Sequence, residues 1–500
     1  MIAQAHAATL TGIDAVPVVI EVDIQGGPTT LIMVGLPDKS VQESQDRVRA
    51  AIVNSGLSFP YTRTVVNLAP ADLKKEGLSL DLPIALTILS ASNQVSRDLF
   101  DRSVIVGELG LDGLVRPIDG AVNVALMAME AGMERLIVPR ENAAEAAVSP
   151  EIQVYGVRNL LEAVELFNGA MVAPFEHSSV DRQEARYEVD FADVKGQTHA
   201  ARALEIAAAG GHNVLMLGPP GSGKTMLARR LPTIMPPLTV EEAIEVTRIY
   251  SASGKKVGRE GLVWERPFRS PHHTSSYAAV VGGGKNPKPG EISLAHLGVL
   301  FMDEMPEFDR GVLESLRQPL EDGLVTVARV AASMEFPAEC VLIGAMNPCP
   351  CGFKGYPEAK CVGAALCDRY MGRISGPLLD RIDLHVTVPR LKPDELTSRP
   401  QGESSAAIRQ RVVAARKTQE ARFGRAKVNA KMSARDMQDL IKLDDESMQF
   451  MKAAASKLNL SARVYDRLLR VGRTIADLAE SENIQRGHLA EAVQYRGNET

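Results

Sequence analysis

Cysteine, aromatic residues and long apolar runs are all scarce in this chain of 500 residues. Five cysteines are too few for a disulfide scaffold, so a reducing compartment, the cytoplasm, is the simplest expectation. No uninterrupted apolar run approaches the roughly 20 residues that cross a bilayer. The first residues lack a basic segment followed by an apolar one, so we expect neither a membrane span nor a secretory signal. The net charge of -6 gives no general indication of a polyanionic partner.

Three regions follow one another along the chain, whose length predicts more than one domain. Strand-like and helical runs alternate over residues 1–168, which predicts an α/β or α+β domain. A polar stretch at 169–190 is typical of a linker. Strands and helices alternate again over 191–390, as in a parallel-sheet nucleotide-binding core. Residues 391–500 are helical in pattern throughout and predict a small all-α lid domain.

The stretch NVLMLGPPGSGKTMLARRL, residues 213–231, joins a short apolar run to a glycine-rich loop and a helical pattern. The loop fits G-x-x-x-x-G-K-[ST], in which backbone N–H groups surround phosphates, Lys224 reaches the β and γ oxygens and Thr225 ligates Mg²⁺. The sequence therefore predicts a site for ATP and Mg²⁺. The predicted loop residues are Gly218, Pro219, Pro220, Gly221, Ser222, Gly223, Lys224 and Thr225.

Two acids, Asp303 and Glu304, directly follow the apolar run at 299–302. Hydrolysis needs one acid for the metal and one for the attacking water. We expect Asp303 to hold Mg²⁺ with Thr225, and Glu304 to orient and deprotonate the water. Asn347 ends a further apolar strand, where its amide would sense the γ-phosphate and hold the water.

Arg381 in SGPLLDRIDLHV and Arg463 in LNLSARVYDRLLR are candidates for placing a guanidinium against the γ-phosphate. A surface ion pair is the alternative interpretation for each of them. From the residues alone, the surface ion pair is the favoured interpretation of both arginines.

The order of these motifs resembles that of the AAA+ ATPases. GGGKNPKPGEISLAHLGVLFMDE, NPCPCG and RISGPLLDRIDLHV resemble, more narrowly, the magnesium-chelatase-like ComM/YifB branch, and the match covers essentially the whole chain. This resemblance implies that Asn347 is sensor 1, Arg463 sensor 2 and Arg381 the finger that enters the neighbouring subunit's site, with Arg373 as its rival. A finger supplied in trans implies a ring, and AAA+ rings are usually hexamers.

The first region resembles a Lon-type protease that has lost its catalytic base. Ser79 falls where that family has its nucleophile, but after Gly120 the chain runs Ala-Val-Asn-Val without a lysine. A Ser-Lys dyad needs an amine to accept the hydroxyl proton, so we expect no proteolysis and a structural role for Ser79. The resemblance implies a platform that forms the ring or contacts DNA.

Four of the five cysteines lie within nineteen residues. Their thiolates, in a loop rich in glycine and proline, would suit a tetrahedral Zn²⁺ site. The alternative is a set of reduced thiols that pack a loop beside Asn347. The four residues are Cys349, Cys351, Cys361 and Cys367.

Two segments are candidates for contacts with DNA. Lys285 and Lys288 follow three glycines in a region that points into the central pore in the resembling ATPases, where lysines would track a phosphate backbone. Residues 401–431 hold eight Lys or Arg against two acids, which fits a nucleic-acid contact and a solvated helix face equally well. His272 and His273, between these lysines and the phosphate loop, are interpreted as polar groups of a loop or of the nucleotide site.

The leading hypothesis is an ATP-dependent DNA translocase or helicase that promotes branch migration during recombination or natural transformation, as the resemblance implies. One alternative is a motor that remodels a partner inserting Mg²⁺ into a porphyrin. The other is an ATP-switched scaffold whose first domain recruits a protein partner.

Overall fold

The computed structural model describes residues 2–71, 75, 77, 79–176, 185, 187–255, 261–284, 287–328, 333–352, 363–391 and 402–496. The first elements are β1 (Ile2–Thr11), β2 (Asp14–Gln25), β3 (Thr30–Val34), α1 (Lys39–Asn54), β4 (Arg63–Ala69), α2 (Asp81–Ala91), β5 (Ser103–Ile105), β6 (Glu108–Leu109), β7 (Val115–Arg116), α3 (Ala121–Glu130), β8 (Arg135–Pro139), α4 (Ala143–Ala146), β9 (Gln153–Val157) and α5 (Leu160–Phe167).

The later elements, up to the last strand, are α6 (Thr198–Gly210), β10 (Val214–Leu217), α7 (Lys224–Ala228), α8 (Leu231–Ile234), α9 (Val240–Ala252), β11 (Phe268–Arg269), α10 (Tyr277–Val281), β12 (Gly282–Gly283), β13 (Lys288–Pro289), α11 (Glu291–Leu294), β14 (Val299–Met302), α12 (Arg310–Ser315), α13 (Arg317–Asp322), β15 (Leu324–Ala328), β16 (Ser333–Pro337), β17 (Val341–Met346), α14 (Ala364–Met371), α15 (Gly376–Leu379) and β18 (Leu384–Thr387). The helices that follow are α16 (Ser405–Phe423), α17 (Ala434–Leu440), α18 (Asp445–Lys457), α19 (Ala462–Leu478) and α20 (Arg486–Gln494).

Residues 1–183 and 239–264 form one compact unit. Its sheet has the strand order β3-β4-β2-β1-β5-β8-β9, with β1 antiparallel to β2 and parallel to β5. The alanine-rich β1 has little intrinsic strand preference, so its conformation comes from the pairing on both of its edges. The apolar helix α2 is buried along its whole length.

Helix α9 belongs to this first unit, although the chain reaches it only after the phosphate loop. It lies against α3, where the Asn123 side chain donates to the Arg248 carbonyl at 3.3 Å. Arg248 also pairs with Asp14 at 3.0 Å, and Ser251 donates to the half-buried Glu145 carboxylate. The chain therefore passes between the two units at three points, 183/184, 238/239 and 264/265.

Residues 184–238 and 265–500 form the second unit, which is built on a five-stranded sheet of order β11-β14-β17-β10-β18. All four strand pairings are parallel. Val214, Phe301 and Ile343 are fully buried in its three central strands, as expected when helices cover both faces of a parallel sheet. The parallel α/β sheet predicted for a nucleotide-binding core is confirmed. The likeness of the first unit to Lon stays a prediction.

The helices after β18 pack within the same unit as the sheet. Helix α16 lies against α6 and α8, and α19 lies against α6, α16 and α20. Met451, Leu468 and Leu489 carry their apolar surface into the core around the sheet. In the part of the chain that the structure describes, no helix is long and apolar enough to cross a membrane.

Candidate nucleotide site

The phosphate loop leaves β10 at the carboxyl edge of the parallel sheet. A side chain at Gly218 would put its Cβ 2.2 Å from the Val388 carbonyl oxygen, so only glycine fits beside the end of β18. Gly223, the residue before α7, has φ 93°, a left-handed conformation that favours glycine. These two glycines fix the path of the loop from the strand into the helix.

Lys224 folds back over this loop. Its Nζ donates to the carbonyls of Gly218 and Pro219 at 2.7 and 3.0 Å, and to Asn347 Oδ1 at 3.2 Å. Burial lowers the pKa of Lys224, and the nearby charges of Asp303 and Glu304 oppose that shift. The ammonium therefore joins the phosphate loop to the end of β17 and contacts only oxygens, the type of acceptor that a phosphate offers.

Asp303 follows β14, which is separated from β10 in the sheet by the single strand β17. Its Oδ2 accepts a 2.8 Å hydrogen bond from the Thr225 hydroxyl, and its Oδ1 accepts from the Glu304 amide at 2.9 Å. A hydroxyl and a carboxylate at this distance are the pair that P-loop enzymes use for Mg²⁺. The residues present therefore fit the predicted metal.

Glu304 has φ 50°, a left-handed conformation that is uncommon for a residue with a side chain. Its carboxylate is half-exposed, and its Oε2 lies 3.4 Å from His273 Nδ1. His273 comes shortly after β11, which pairs with β14, and its ring lies against those of His272 and Phe308. The structure thus places His273 beside the acid predicted to activate water.

Asn347 is the first residue after β17, so the amide and the two acids share one edge of the sheet. The Tyr370 hydroxyl on α14 bonds to the backbone of Asn347, and burial raises the pKa of Tyr370 to about 12. Lys224, Thr225, Asp303, Glu304 and Asn347 are therefore brought together at the carboxyl ends of three strands, as ligand sites of open α/β sheets are.

The two candidate finger arginines lie in different places. Arg373 Nη1 donates to the Pro306 carbonyl at 3.1 Å and pairs with Glu307 at 2.5 Å, which places it just after the acids of its own protomer. Arg381 precedes the amino end of β18. Its guanidinium donates to the Pro377 carbonyl at 2.7 Å and pairs with Glu321 at 2.5 Å.

Arg463 is exposed in the first turn of α19, and within the described residues no hydrogen bond or ion pair joins it to the phosphate loop or the acids. Sequence reasoning missed Arg467, one turn further along, whose Nη1 lies 3.6 Å from Asp383 Oδ1. It also missed Arg496, which contacts the residues on both sides of Arg381. Arg463, Arg467 and Arg470 follow i, i+4, i+7 spacing, which signals one charged helix face.

The predicted zinc ligands are only partly within the described residues. Cys349 Sγ and Cys351 Sγ lie 3.2 Å apart, and Cys367 is buried on α14. Cys361 lies outside the described residues. Across those that are described, no three His, Cys, Asp or Glu side chains come together in a way that would hold a metal ion.

The predicted DNA contacts are also described only in part. Lys288 is exposed on the hairpin of β12 and β13, and Lys285 lies outside the described residues. In the basic segment 401–431, three cations form ion pairs inside the second unit: Arg411 with Glu205 and Glu403, Arg422 with Asp477, and Lys427 with Asp436. These pairs reduce the basic surface that the segment offers to a polyanion.

Ser79 has a structural contact in the first unit. Its hydroxyl donates to the Ala8 carbonyl of β1 at 3.3 Å. Val122 and Val124, in the segment after Gly120 that holds no lysine, are buried in an apolar cluster. A methyl-bearing side chain in such a cluster offers no base to the serine.

Comparisons with known proteins match nearly the whole chain. Three family models fit: "Magnesium chelatase, subunit ChlI" over residues 190–396, "Subunit ChlI of Mg-chelatase" over 20–142, and "Magnesium chelatase, subunit ChlI C-terminal" over 402–496. The competence protein ComM of Haemophilus influenzae is 44% identical over 97% of this chain and 95% of its own length. Protein YifB of Escherichia coli is 43% identical over 98% of this chain and 96% of its own length. The magnesium-chelatase subunit ChlI of Olisthodiscus luteus is 23% identical over 37% of this chain and 52% of its own length.

Proposed function

Since this chain belongs to the ComM/YifB family of magnesium-chelatase-like ATPases, we propose that it is a DNA translocase driven by ATP hydrolysis. In this proposal the protein works as a ring, expected to be a hexamer, and promotes branch migration during recombination or natural transformation. ATP and Mg²⁺ are its cofactors.

The roles in hydrolysis follow from the contacts at the carboxyl edge of the sheet. When ATP binds, the Lys224 ammonium leaves its carbonyl and amide acceptors and binds the oxygens of the β- and γ-phosphates. Mg²⁺, when bound by Thr225 and Asp303, neutralises charge on the phosphates. Glu304 accepts the proton of the attacking water, and Asn347 holds that water against the γ-phosphate.

One observation carries the proposal of a ring. Arg381 precedes the amino end of β18, whereas the phosphate loop follows the carboxyl end of β10, and these two strands are parallel and in register. Four residues of strand, about 10 Å, separate the two ends, so the backbone of Arg381 lies at the opposite edge of the sheet from its own phosphate loop. A neighbouring protomer's triphosphate is therefore the substrate that this arginine serves.

DNA is the proposed track on two grounds. Lys288 is exposed on a short hairpin between the phosphate loop and the acids, a position from which a cation can follow a sugar-phosphate backbone. A relative that covers nearly all of the chain is named as a competence protein. A contact of this kind would not depend on the base sequence.

The decisive experiment measures ATPase rate with branched DNA, with single-stranded DNA and without DNA, alongside the molecular mass with a non-hydrolysable ATP analogue. We expect DNA to stimulate hydrolysis and the analogue to promote assembly. A monomer that never hydrolyses ATP with any of these polynucleotides would overturn the proposal. Lys288→Glu, compared with Lys457→Glu on α18, tests the hairpin contact.

A second candidate function is a motor for metal insertion, since all three matching family models carry the description of a magnesium-chelatase subunit. It predicts stimulation by a protein partner and none by DNA. The same ATPase assay separates the two candidates.

A structural zinc at the four cysteines stays a prediction, because one of them lies outside the described residues. Metal analysis after mild chelation measures the zinc content per subunit. A zinc content of zero with unchanged thermal stability would end the idea.

A further inference from the structure

We infer that Arg496 is a positioning residue for Arg381, and that through it the carboxyl-terminal helices set where the finger points. This inference rests on the proposed function, in which Arg381 enters a neighbour's site. Arg496 touches neither nucleotide nor water, so its effect on hydrolysis must pass through the segment that carries Arg381.

The side chain of Arg496 contacts both chain neighbours of Arg381. Its Nη1 donates a 3.1 Å hydrogen bond to the Ile382 carbonyl, and its Nη2 lies 3.6 Å from Asp380 Oδ1. The side chain of Arg496 is 6% exposed and that of Asp380 is 36% exposed, so the arginine end of these contacts is shielded from water. A planar group with several donors suits this double contact, because it reaches two acceptors from one fixed position.

Two further contacts come from Tyr495, which directly follows α20, and from Arg467 on α19. The Tyr495 carbonyl accepts a 2.6 Å hydrogen bond from the His385 amide, and Arg467 Nη1 on α19 lies 3.6 Å from Asp383 Oδ1. Residues 380, 382, 383 and 385 are therefore all held by elements that follow β18 in the chain. The stretch that bears the finger is therefore attached to this helical region as well as to the sheet.

The sheet holds the same stretch from its other side. Asn213, just before β10, donates its side-chain amide to the Arg381 carbonyl at 3.0 Å, and its own carbonyl accepts from Asp383 and Leu384. His212 lies 3.0 Å from the Asp383 carboxylate. The backbone of Arg381 is thus clamped between the residue that leads into the phosphate-loop strand and the arginines of the helices.

This double attachment gives Arg496 a specific role. A shift of the helices relative to the sheet moves Asp380 and Ile382, and it moves the guanidinium of Arg381 with them. Misplacing a catalytic group by about 1 Å costs on the order of 10²-fold in rate. Among the described residues, Lys224, Asp303 and Glu304, at the opposite edge of the sheet, take part in none of these contacts.

The test compares Arg496→Met, Arg496→Lys and the control Arg486→Met, which removes an exposed ion pair with Glu446 on the adjacent helix. For Arg496→Met we expect kcat to fall by up to about 10²-fold with the KM for ATP and the assembly unchanged. Arg496→Lys can keep one of the two contacts, so its kcat should lie between that of Arg496→Met and that of the wild type. Arg486→Met should match the wild type.

Mixed rings separate positioning from a loss of folding. Glu304→Gln subunits supply an intact finger but no working site of their own, so adding them should restore part of the activity of Arg496→Met and of Arg381→Ala. Recovery of Arg381→Ala without recovery of Arg496→Met would overturn this inference alone. Recovery of neither would overturn the shared finger and the inference with it. A raised KM for ATP, or a normal kcat, in Arg496→Met would also overturn it.

Asp380→Asn tests the same contact from its other end and keeps the inference falsifiable if Arg496→Met does not fold. We expect the same selective fall in kcat, and in the double variant Asp380→Asn/Arg496→Lys a fall smaller than the product of the two single effects. Independent, multiplying effects in the double variant would overturn the inference.

Discussion

The Thr225 hydroxyl donates a 2.8 Å hydrogen bond to Asp303, across 78 residues of chain. Thr225 lies in the first turn of α7, and Asp303 directly follows β14, so the bond ties the helix of the phosphate loop to a strand that does not neighbour β10. The two oxygens that would ligate an ion therefore come from two different elements, a helix and a strand end.

Replacing Thr225 by valine should weaken the use of Mg²⁺ more than the binding of ATP itself. Valine has nearly the shape of threonine but lacks the oxygen that ligates the ion. We expect a higher Mg²⁺ concentration for half-maximal ATPase rate, measured by metal titration at saturating ATP. Thr225→Ser keeps the oxygen and should behave like the wild type, and equal behaviour of the two variants would contradict this role.

Glu304→Gln should bind ATP and assemble without turnover. Loss of a general base lowers a rate by roughly 10²- to 10⁴-fold, while the amide keeps the size of the side chain. Single-turnover hydrolysis measures the loss of turnover, and filter binding of labelled ATP measures the retained binding. Glu307→Gln, which alters the nearby pair with Arg373, is the matched control and should retain turnover.

Arg381→Ala should abolish hydrolysis while ATP still binds, because a finger arginine contributes about 10³- to 10⁵-fold to the rate. Arg373→Ala should have the smaller effect, since Arg373 is engaged with Glu307 and Pro306 of its own protomer. Steady-state ATPase rates of the two variants decide the assignment. Normal hydrolysis by Arg381→Ala would move the finger to Arg373.

Asp81 should make the first unit lose stability as the pH rises from about 4 to about 6. Burial raises the pKa of Asp81 from 3.8 to about 6, although Arg47 pairs with it at 2.9 Å. Between these values the unfolded chain has lost a proton that the folded chain keeps, so raising the pH favours unfolding by at most about 3 kcal/mol. Thermal melts across this range should show a smaller fall for Asp81→Asn than for the wild type or for Asp46→Asn, which alters an exposed residue of α1. An unchanged slope in Asp81→Asn would contradict the assignment.

Deleting residues 1–183 should give an aggregating protein rather than a free ATPase unit. The deletion removes Asn123, Glu145 and Asp14, the partners of α9 in the first unit, and leaves the apolar face of that helix uncovered. Replacing 239–264 in the same deletion by a short glycine-serine linker should restore solubility and ATP binding. Gel filtration and nucleotide-binding assays compare the two proteins, and a soluble simple deletion would contradict the packing of α9.

The sequence predicted those parts of the site that lie next to a strand end in the chain. The phosphate loop, Asp303, Glu304 and Asn347 each follow an apolar run directly, and in a parallel sheet such ends meet at one edge. His273 could be named but not placed, because its contact with Glu304 depends on β11 pairing with β14. Arg467 and Arg496 were not recognised, since their acceptors lie between 84 and 116 positions away in the chain.

Other features could not be predicted from local patterns at all. Helix α9 has an ordinary capping box at Thr239 and an ordinary amphipathic pattern, and nothing in it tells which of two cores it joins. The basic character of 401–431 suggested a surface for polyanions, but pairing with acids such as Glu205 and Asp477 is decided by tertiary structure. Charge composition along a helix does not reveal which charges are already neutralised.

The three points at which the chain passes between the units also constrain how such a protein can be inherited. A domain joined at one point can be gained or lost by a single recombination of its gene. Here the coding sequence for one helix of the first unit lies inside that of the second, so exchanging either unit needs several simultaneous joins.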